Sequence, residues 1–163
     1  MDLQPTANIV LIAPEIPQNT GNVIRLSANV GAQLHLVKPL GFELENPGLR
    51  RASLDYSDLT DILVHESIDA FLETISINRV YAATTSGTVP YTAPQYKLGD
   101  TIVFGSESVG LPDSLVNTLK SDNRVHIPMM PANRSLNLSN AAAIVVYEMW
   151  RQSYFHGSSD SQN

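Results

Sequence analysis

IPMMPANRSLNLSNAAAIVVYEMWRQ, residues 127–152, joins a proline-broken polar loop directly to a helix that is apolar almost all round. Pro128, Pro131, Asn133, Arg134, Ser135, Asn137, Ser139 and Asn140 make the loop, and residues 141–147 leave the helix no polar face. Such a helix has to be covered on most sides. A loop this polar, abutting a helix this buried, reads as a binding loop clamped onto a core.

Upstream of that stretch, short apolar runs alternate with helical patterns. Residues 9–13 form a continuous β-prone run, as a strand buried on both faces does. Residues 21–30 read as a helix, with Asn19 or Thr20 as N-cap and Gly31 just past its end. Strands follow at 34–37, 62–65, 79–84, 101–104 and 125–127. Further helices are predicted from Ser67 through Ile75, from Pro112 to about Lys120, and from Ser139 to Tyr154. Residues 42–56 read as a polar loop, and residues 1–7 and 157–163 as loose ends. Strand and helix alternate along the whole length, so the expected class is α/β: one domain with a parallel sheet of about six strands and helices on both faces. In such sheets ligands bind beyond the carboxyl ends of the strands. The loops after Ala13, Thr84, Phe104 and Ile127 are therefore where a site is expected.

Composition narrows the function classes. The 163 residues are 43% hydrophobic and 16% charged, which describes a globular chain. There is no cysteine, so disulfides and thiolate zinc sites are excluded. His35, His65, His126 and His156 lie far apart, with no ligand-like spacing, and no metal is expected. The opening MDLQPTANIV lacks the pattern of a signal peptide, and no apolar run approaches the roughly 18 residues of a membrane span. The expected compartment is the cytoplasm. A net charge of −6 argues against broad, non-specific affinity for nucleic acid but leaves room for a local basic patch.

Three segments carry candidate chemistry. PEIPQNTGNVIR, residues 14–25, places two prolines, two amides and a helix N-terminus after the first strand, with Arg25 about one turn into the helix. Read blandly, it is a capped strand-to-helix loop with a solvated arginine. FGSESVGLP, residues 104–112, has glycines that let backbone amides approach a ligand, and Glu107 above the sheet edge. The bland reading is a tight turn whose glutamate caps the next helix. Neither a phosphate-binding Gly-Lys-Ser/Thr loop nor a Gly-x-Ser-x-Gly elbow is present, since Glu107 takes the nucleophile's place. The third segment is the opening stretch. Three such loops on one sheet converge on one cleft.

In order, these three segments resemble the three motifs of the SPOUT class of S-adenosylmethionine-dependent RNA ribose methyltransferases. HLVKPLGF (35–42) and LRRASLDY (49–56) narrow the resemblance to its small members that methylate the wobble nucleotide of tRNA. Ser53 departs from the glycine expected in LRRAGLDY. The resemblance spans about residues 7–155. It implies a C-terminal trefoil knot and a homodimer using the last helix, neither of which periodicity or spacing shows. It implies S-adenosyl-L-methionine held by Ala83, Gly105, Ile127, Ser135 and Leu136, mostly through backbone groups, with Leu138 as a further apolar wall. Arg25 takes the place beside the reacting hydroxyl, and Asn19 and Glu107 shape the same site. Lys38, Arg50, Arg51 and Arg134 become phosphate contacts to a tRNA anticodon loop, and Tyr147 and Arg151 help position RNA or the partner subunit. Three rivals stay open: a hydrolase using Ser106, Ser108 or Ser135 with a histidine, a non-catalytic RNA or nucleotide binder, and a sister methylase acting at another tRNA or ribosomal RNA position.

Overall fold

A computed structural model of the protein describes residues 4–53 and 62–162. Its seven strands are β1 (Asn8–Ile12), β2 (Gln33–Val37), β3 (Leu63–His65), β4 (Val80–Ala83), β5 (Val89–Pro90), β6 (Thr101–Phe104) and β7 (Arg124–His126). They form one sheet in the order β3-β2-β1-β6-β4-β7-β5, and every pairing is parallel. The helices are α1 (Pro17–Val30), α2 (Pro47–Ser53), α3 (Ile68–Leu72), α4 (Asp113–Val116) and α5 (Leu138–Gln152).

Alternation along the strands builds two cores. Ile9, Leu11, Leu34, Leu36, Ile102 and Phe104 face one side, with Val23 and Leu26 of α1, Leu49 of α2 and Ala142, Val145 and Met149 of α5. Val10, Ile12, Val37, Val80 and Val103 face the other, with Phe71 of α3 and Leu115 of α4. Helices thus cover both faces, as the strand–helix alternation predicts.

Several boundaries differ from those expected. Helix α1 starts at Pro17, whose missing N–H costs nothing in a first turn, rather than at Gly21. Asn19 and Thr20 are therefore buried inside the helix, Ile16 is the N-cap with no side-chain bond of its own, and Arg25 sits in the third turn rather than the second. Gly31 closes the helix as predicted, at φ 70° in the left-handed region. Helices α3 and α4 stop short of Ile75 and Lys120. In each case a threonine hydroxyl just past the end donates to the carbonyl three residues back, Thr74 to Phe71 at 2.7 Å and Thr118 to Leu115 at 2.6 Å. That bond competes with the helical ladder.

Two elements were not predicted. Helix α2 lies in the stretch read as loop, where Pro47 opens the helix instead of breaking it. It packs on α1 at Gly21, where an added Cβ would fall 2.5 Å from the Ala52 Cβ. The last three residues of LRRASLDY, Leu54 to Tyr56, lie outside the described residues. Strand β5 is two residues with a proline, a composition that suits a sheet edge. Parts of the two segments read as loose ends, among the described residues, make regular contacts. Thr6 bonds Val30 and Gly31 carbonyls, Ala7 is buried, and Ser159–Gln162 forms a 3-10 turn.

β7 lies between β4 and β5, which are joined by residues 84–88 alone. Ala83 and Val89 both pair with Val125, from opposite sides. The connection therefore crosses β7 and returns to the same level. Gly87 is pressed so close that a Cβ there would lie 2.3 Å from the Val125 carbonyl carbon.

Candidate active site

At the carboxyl ends of β1, β6, β4 and β7 the loops enclose a cleft of about 670 Å³. That volume falls within the range of small-molecule sites, about 300–1,000 Å³. Ala83, Gly105, Ile127, Ser135 and Leu136 all line it, together with Asn19, Glu107 and Arg134. The sequence-predicted cofactor positions, drawn from three separate loops, therefore meet in one place. Ile127, Leu136 and Leu138 supply apolar wall, and Thr84, Thr85 and Ser86 bring hydroxyls. Met129 and Asp113 also line the cleft and were not anticipated. For Thr84, Thr85 and Ser86 the sequence signal was their place just after a strand.

Hydrogen bonds tie the three motif loops together. Glu107 accepts from the backbone N–H of Glu15 at 2.8 Å and of Ile16 at 3.0 Å, and from Asn19 Nδ2 at 3.3 Å. The carboxylate thus caps α1 from a distant loop, by holding the N–H groups of the two residues that lead into it. A negative charge there also suits the positive end of the helix dipole. In return Glu15 accepts from the backbone N–H and hydroxyl of Ser108. Those two bonds hold the Glu15 carboxyl below its ordinary range. Glu107 was expected either to shape the site or to cap the following helix. It lines the cleft, and the helix it holds is that of the preceding motif rather than the following one, with both its oxygens engaged.

Asn19, only 5% exposed, carries the connection onward. Its Oδ1 accepts from Asn137 Nδ2 at 3.0 Å. Asn137 Oδ1 in turn caps α5, accepting from the N–H groups of Ser139 at 3.0 Å and Asn140 at 3.3 Å. The chain Glu107–Asn19–Asn137 spans all three motifs, each amide nitrogen meeting an acceptor and each amide oxygen a donor.

The 106–110 turn is closed by Gly110 N–H donating to Ser106 O at 2.9 Å. Gly105 sits beneath it, where a Cβ would lie 2.0 Å from the Gly110 carbonyl carbon. Glycine is required there by crowding.

The remaining predicted residues do not line the cleft. Arg25 is exposed on α1, one turn beyond Asn22, whose amide donates to Ser139 Oγ at 3.4 Å. Lys38 pairs with Glu66 at 2.8 Å beside the ends of β2 and β3. Arg50 and Arg51 are exposed on α2, Arg51 Nε reaching Pro47 O at 3.4 Å. Arg151 is held by Glu148 on α5, at 2.7 and 2.9 Å. Tyr147 is 44% exposed and meets Trp150 edge-on. Helix α5 is covered on one side only, leaving Ile144 and Tyr147 outward, so the expectation of cover on most sides is not met within this chain.

No histidine is among the described residues lining the cleft, so Ser106, Ser108 and Ser135 lack the base a hydrolase needs. Among the described residues no group of three or more His, Asp or Glu could hold a metal ion, and no helix is long and apolar enough to cross a membrane.

A tRNA (cytidine(34)-2′-O)-methyltransferase of Methylovorus glucosotrophus is 50% identical over 93% of this chain and 98% of its own. Its Escherichia coli counterpart is 48% identical over 93% and 96%. A solved structure described as giving insights into the 2-OH methylation of C/U34 on tRNA superposes with a TM-score of 0.85, at 42% identity, covering 91% of this chain and 96% of that one. The SpoU methyltransferase AviRb from Streptomyces viridochromogenes, in complex with the cofactor AdoMet, shares the fold, with a TM-score of 0.82 at 21% identity over 94% of this chain and 60% of its own. The profile of the SpoU rRNA Methylase family matches residues 6–147, and this chain belongs to that family.

Proposed function

We propose that this enzyme transfers a methyl group from S-adenosyl-L-methionine to the ribose 2′-hydroxyl of the wobble nucleotide, cytidine or uridine 34, of tRNA. The carrying observation is the single cleft in which Ala83, Gly105, Ile127, Ser135 and Leu136 converge, locked by the Glu107–Asn19–Asn137 chain. The names of relatives about half identical over nearly their full length support the tRNA position.

The residues present suit the cofactor. Ile127, Leu136 and Leu138 give an adenine ring apolar walls, while backbone groups near Gly105 and Ser135 and the hydroxyls of Thr84 to Ser86 suit its polar edges. The bound sulfonium supplies an activated methyl group. What the chain itself provides is alignment of the ribose hydroxyl, which is worth several kcal/mol when in-line geometry is fixed. Asn19 and Glu107 act by fixing that geometry. Arg25 is the cation we assign to the acceptor side, six residues along α1 from Asn19, or about 9 Å of helical rise. A guanidinium donates hydrogen bonds and accepts none, so it is no base; it binds phosphate and stabilises the oxyanion as the hydroxyl proton leaves to phosphate or water.

Arg134 at the cleft, with Lys38, Arg50 and Arg51, offers phosphate contacts to a splayed anticodon loop, and binding through so few cations should weaken only modestly with salt. We infer further that the enzyme works as a homodimer in the cytoplasm, with Ile144, Tyr147 and neighbouring small residues of α5 covered by a second copy. A trefoil knot is supported by the 84–88 connection crossing β7. Labelled cofactor and total tRNA test the activity directly. Label at the ribose of nucleotide 34 is expected; label elsewhere, or in ribosomal RNA only, would refute the assignment.

A further inference from the structure

Three of the four loops at the cleft end on a helix, α1, α4 or α5. The fourth, residues 84–88, ends on the two-residue strand β5 and needs another anchor. Gly87 N–H donates to Thr84 O at 3.0 Å, closing a turn, and the hydroxyls of Thr84 and Ser86 stand 3.1 Å apart at the cleft. The turn lies on β7, with Thr84 N–H donating to Val125 O and Thr88 N–H to Arg124 O, each at 2.9 Å. Its outer carbonyl, Gly87 O, lies 2.9 Å from His126 Nδ1. A carbonyl oxygen only accepts, so Nδ1 carries the proton. The His126 backbone is itself fixed from the far side, its carbonyl accepting from Tyr91 N–H at 2.9 Å. The imidazole does not line the cleft, although the next residue, Ile127, does.

We propose that His126 is a positioning residue for the cofactor. Its Nδ1–H clamps the Gly87 carbonyl and so sets where Thr84, Thr85 and Ser86 stand in the cleft wall. The idea rests on reading that cleft as the S-adenosyl-L-methionine site. It assigns a function to a strand histidine that the reaction itself does not use.

The test combines calorimetric titration of S-adenosyl-L-methionine with amide hydrogen exchange on the ligand-free, full-length protein. Loss of one such bond in His126→Leu is expected to raise the dissociation constant about five- to tenfold and to speed exchange at Thr84, Gly87 and Thr88 by a similar factor. Turnover at saturating cofactor should stay within about twofold, the mark of lost ground-state positioning. His126→Asn, whose amide N–H falls where the imidazole N–H was, should restore both readings. His126→Gln, with its amide one carbon further out, replaces the leucine variant if that fails to fold. Wild-type exchange and affinity in the leucine variant would overturn the clamp, as would an asparagine variant no better than leucine. A wild-type protein that binds no S-adenosyl-L-methionine would instead refute the cofactor reading, and the exchange measurement separates that failure from a failure of the clamp.

Discussion

Asn137 Nδ2 donates to Asn19 Oδ1 at 3.0 Å, and the bond runs in one direction only. Asn137 Oδ1 is committed to the N–H groups that open α5, so its amide nitrogen must face Asn19. Asn19 Nδ2 is thereby left to meet Glu107, which can only accept. The orientation of all three side chains follows from one helix cap.

Asn19→Asp should break this polarity at both ends. It removes the donor to Glu107 and sets a second carboxylate beside it, while the Asn137 bond survives. A loss of about 2–3 kcal/mol is expected in urea unfolding at neutral pH, more than for Asn19→Ala, because like charges in contact repel. An aspartate variant as stable as alanine would contradict the assignment.

Glu107→Ala strips the cap from α1 and should cost about 1–2 kcal/mol. Glu107→Gln keeps one acceptor oxygen and should recover part of that. Cofactor affinity, measured by titration, should fall in the same order. If Glu107 were instead a proton acceptor in the reaction, glutamine would abolish turnover while leaving stability and affinity intact.

Gly105→Ala drives a Cβ into the Gly110 backbone, 2.0 Å away. No side-chain rotation relieves that contact, so the 106–110 turn must move. We expect about 1–3 kcal/mol of destabilisation, and cofactor binding below detection in a titration that reads the wild type easily.

A pH dependence arises on the far side of the sheet. His35 is 5% exposed, with Nε2 3.1 Å from Asn8 Oδ1 and Nδ1 3.0 Å from His65 Nε2. Burial first, and the neighbouring His65 second, push His35 down from 6.5 to about 4. Between those values the unfolded chain binds the proton and the folded one does not. The His35 contribution is therefore complete above pH 6.5 and lost progressively as pH falls toward 4, on the order of 3 kcal/mol in all. Urea midpoints from pH 8 to 4.5 should fall less steeply in His35→Gln than in the wild type.

Arg25→Lys tests the acceptor side. A lysine keeps the charge but not the planar fork. Turnover at saturating cofactor should drop about tenfold or more, with cofactor affinity unchanged. Near-wild-type turnover would remove Arg25 from the reaction.

Much of this protein is legible along the chain. Short apolar runs mark six of the seven described strands, Gly31 marks the end of α1, and polar loops after strands mark the cleft. These are local signals: a side-chain period or a turn residue acts on its immediate neighbours. The motif resemblance adds which positions face the cofactor. Other features exist only in three dimensions. Glu107 caps a helix whose capped residue lies 91 positions away, which leaves α1 without any cap of its own to read. β7 enters between two strands joined by a short connection, so β5 acquires its partner only after the chain has passed it. Helix α2 is held by close approach to Gly21 rather than by its own propensity. In each case the stabilising contact joins residues remote in sequence, and local patterning carries no trace of such a contact until the chain has folded.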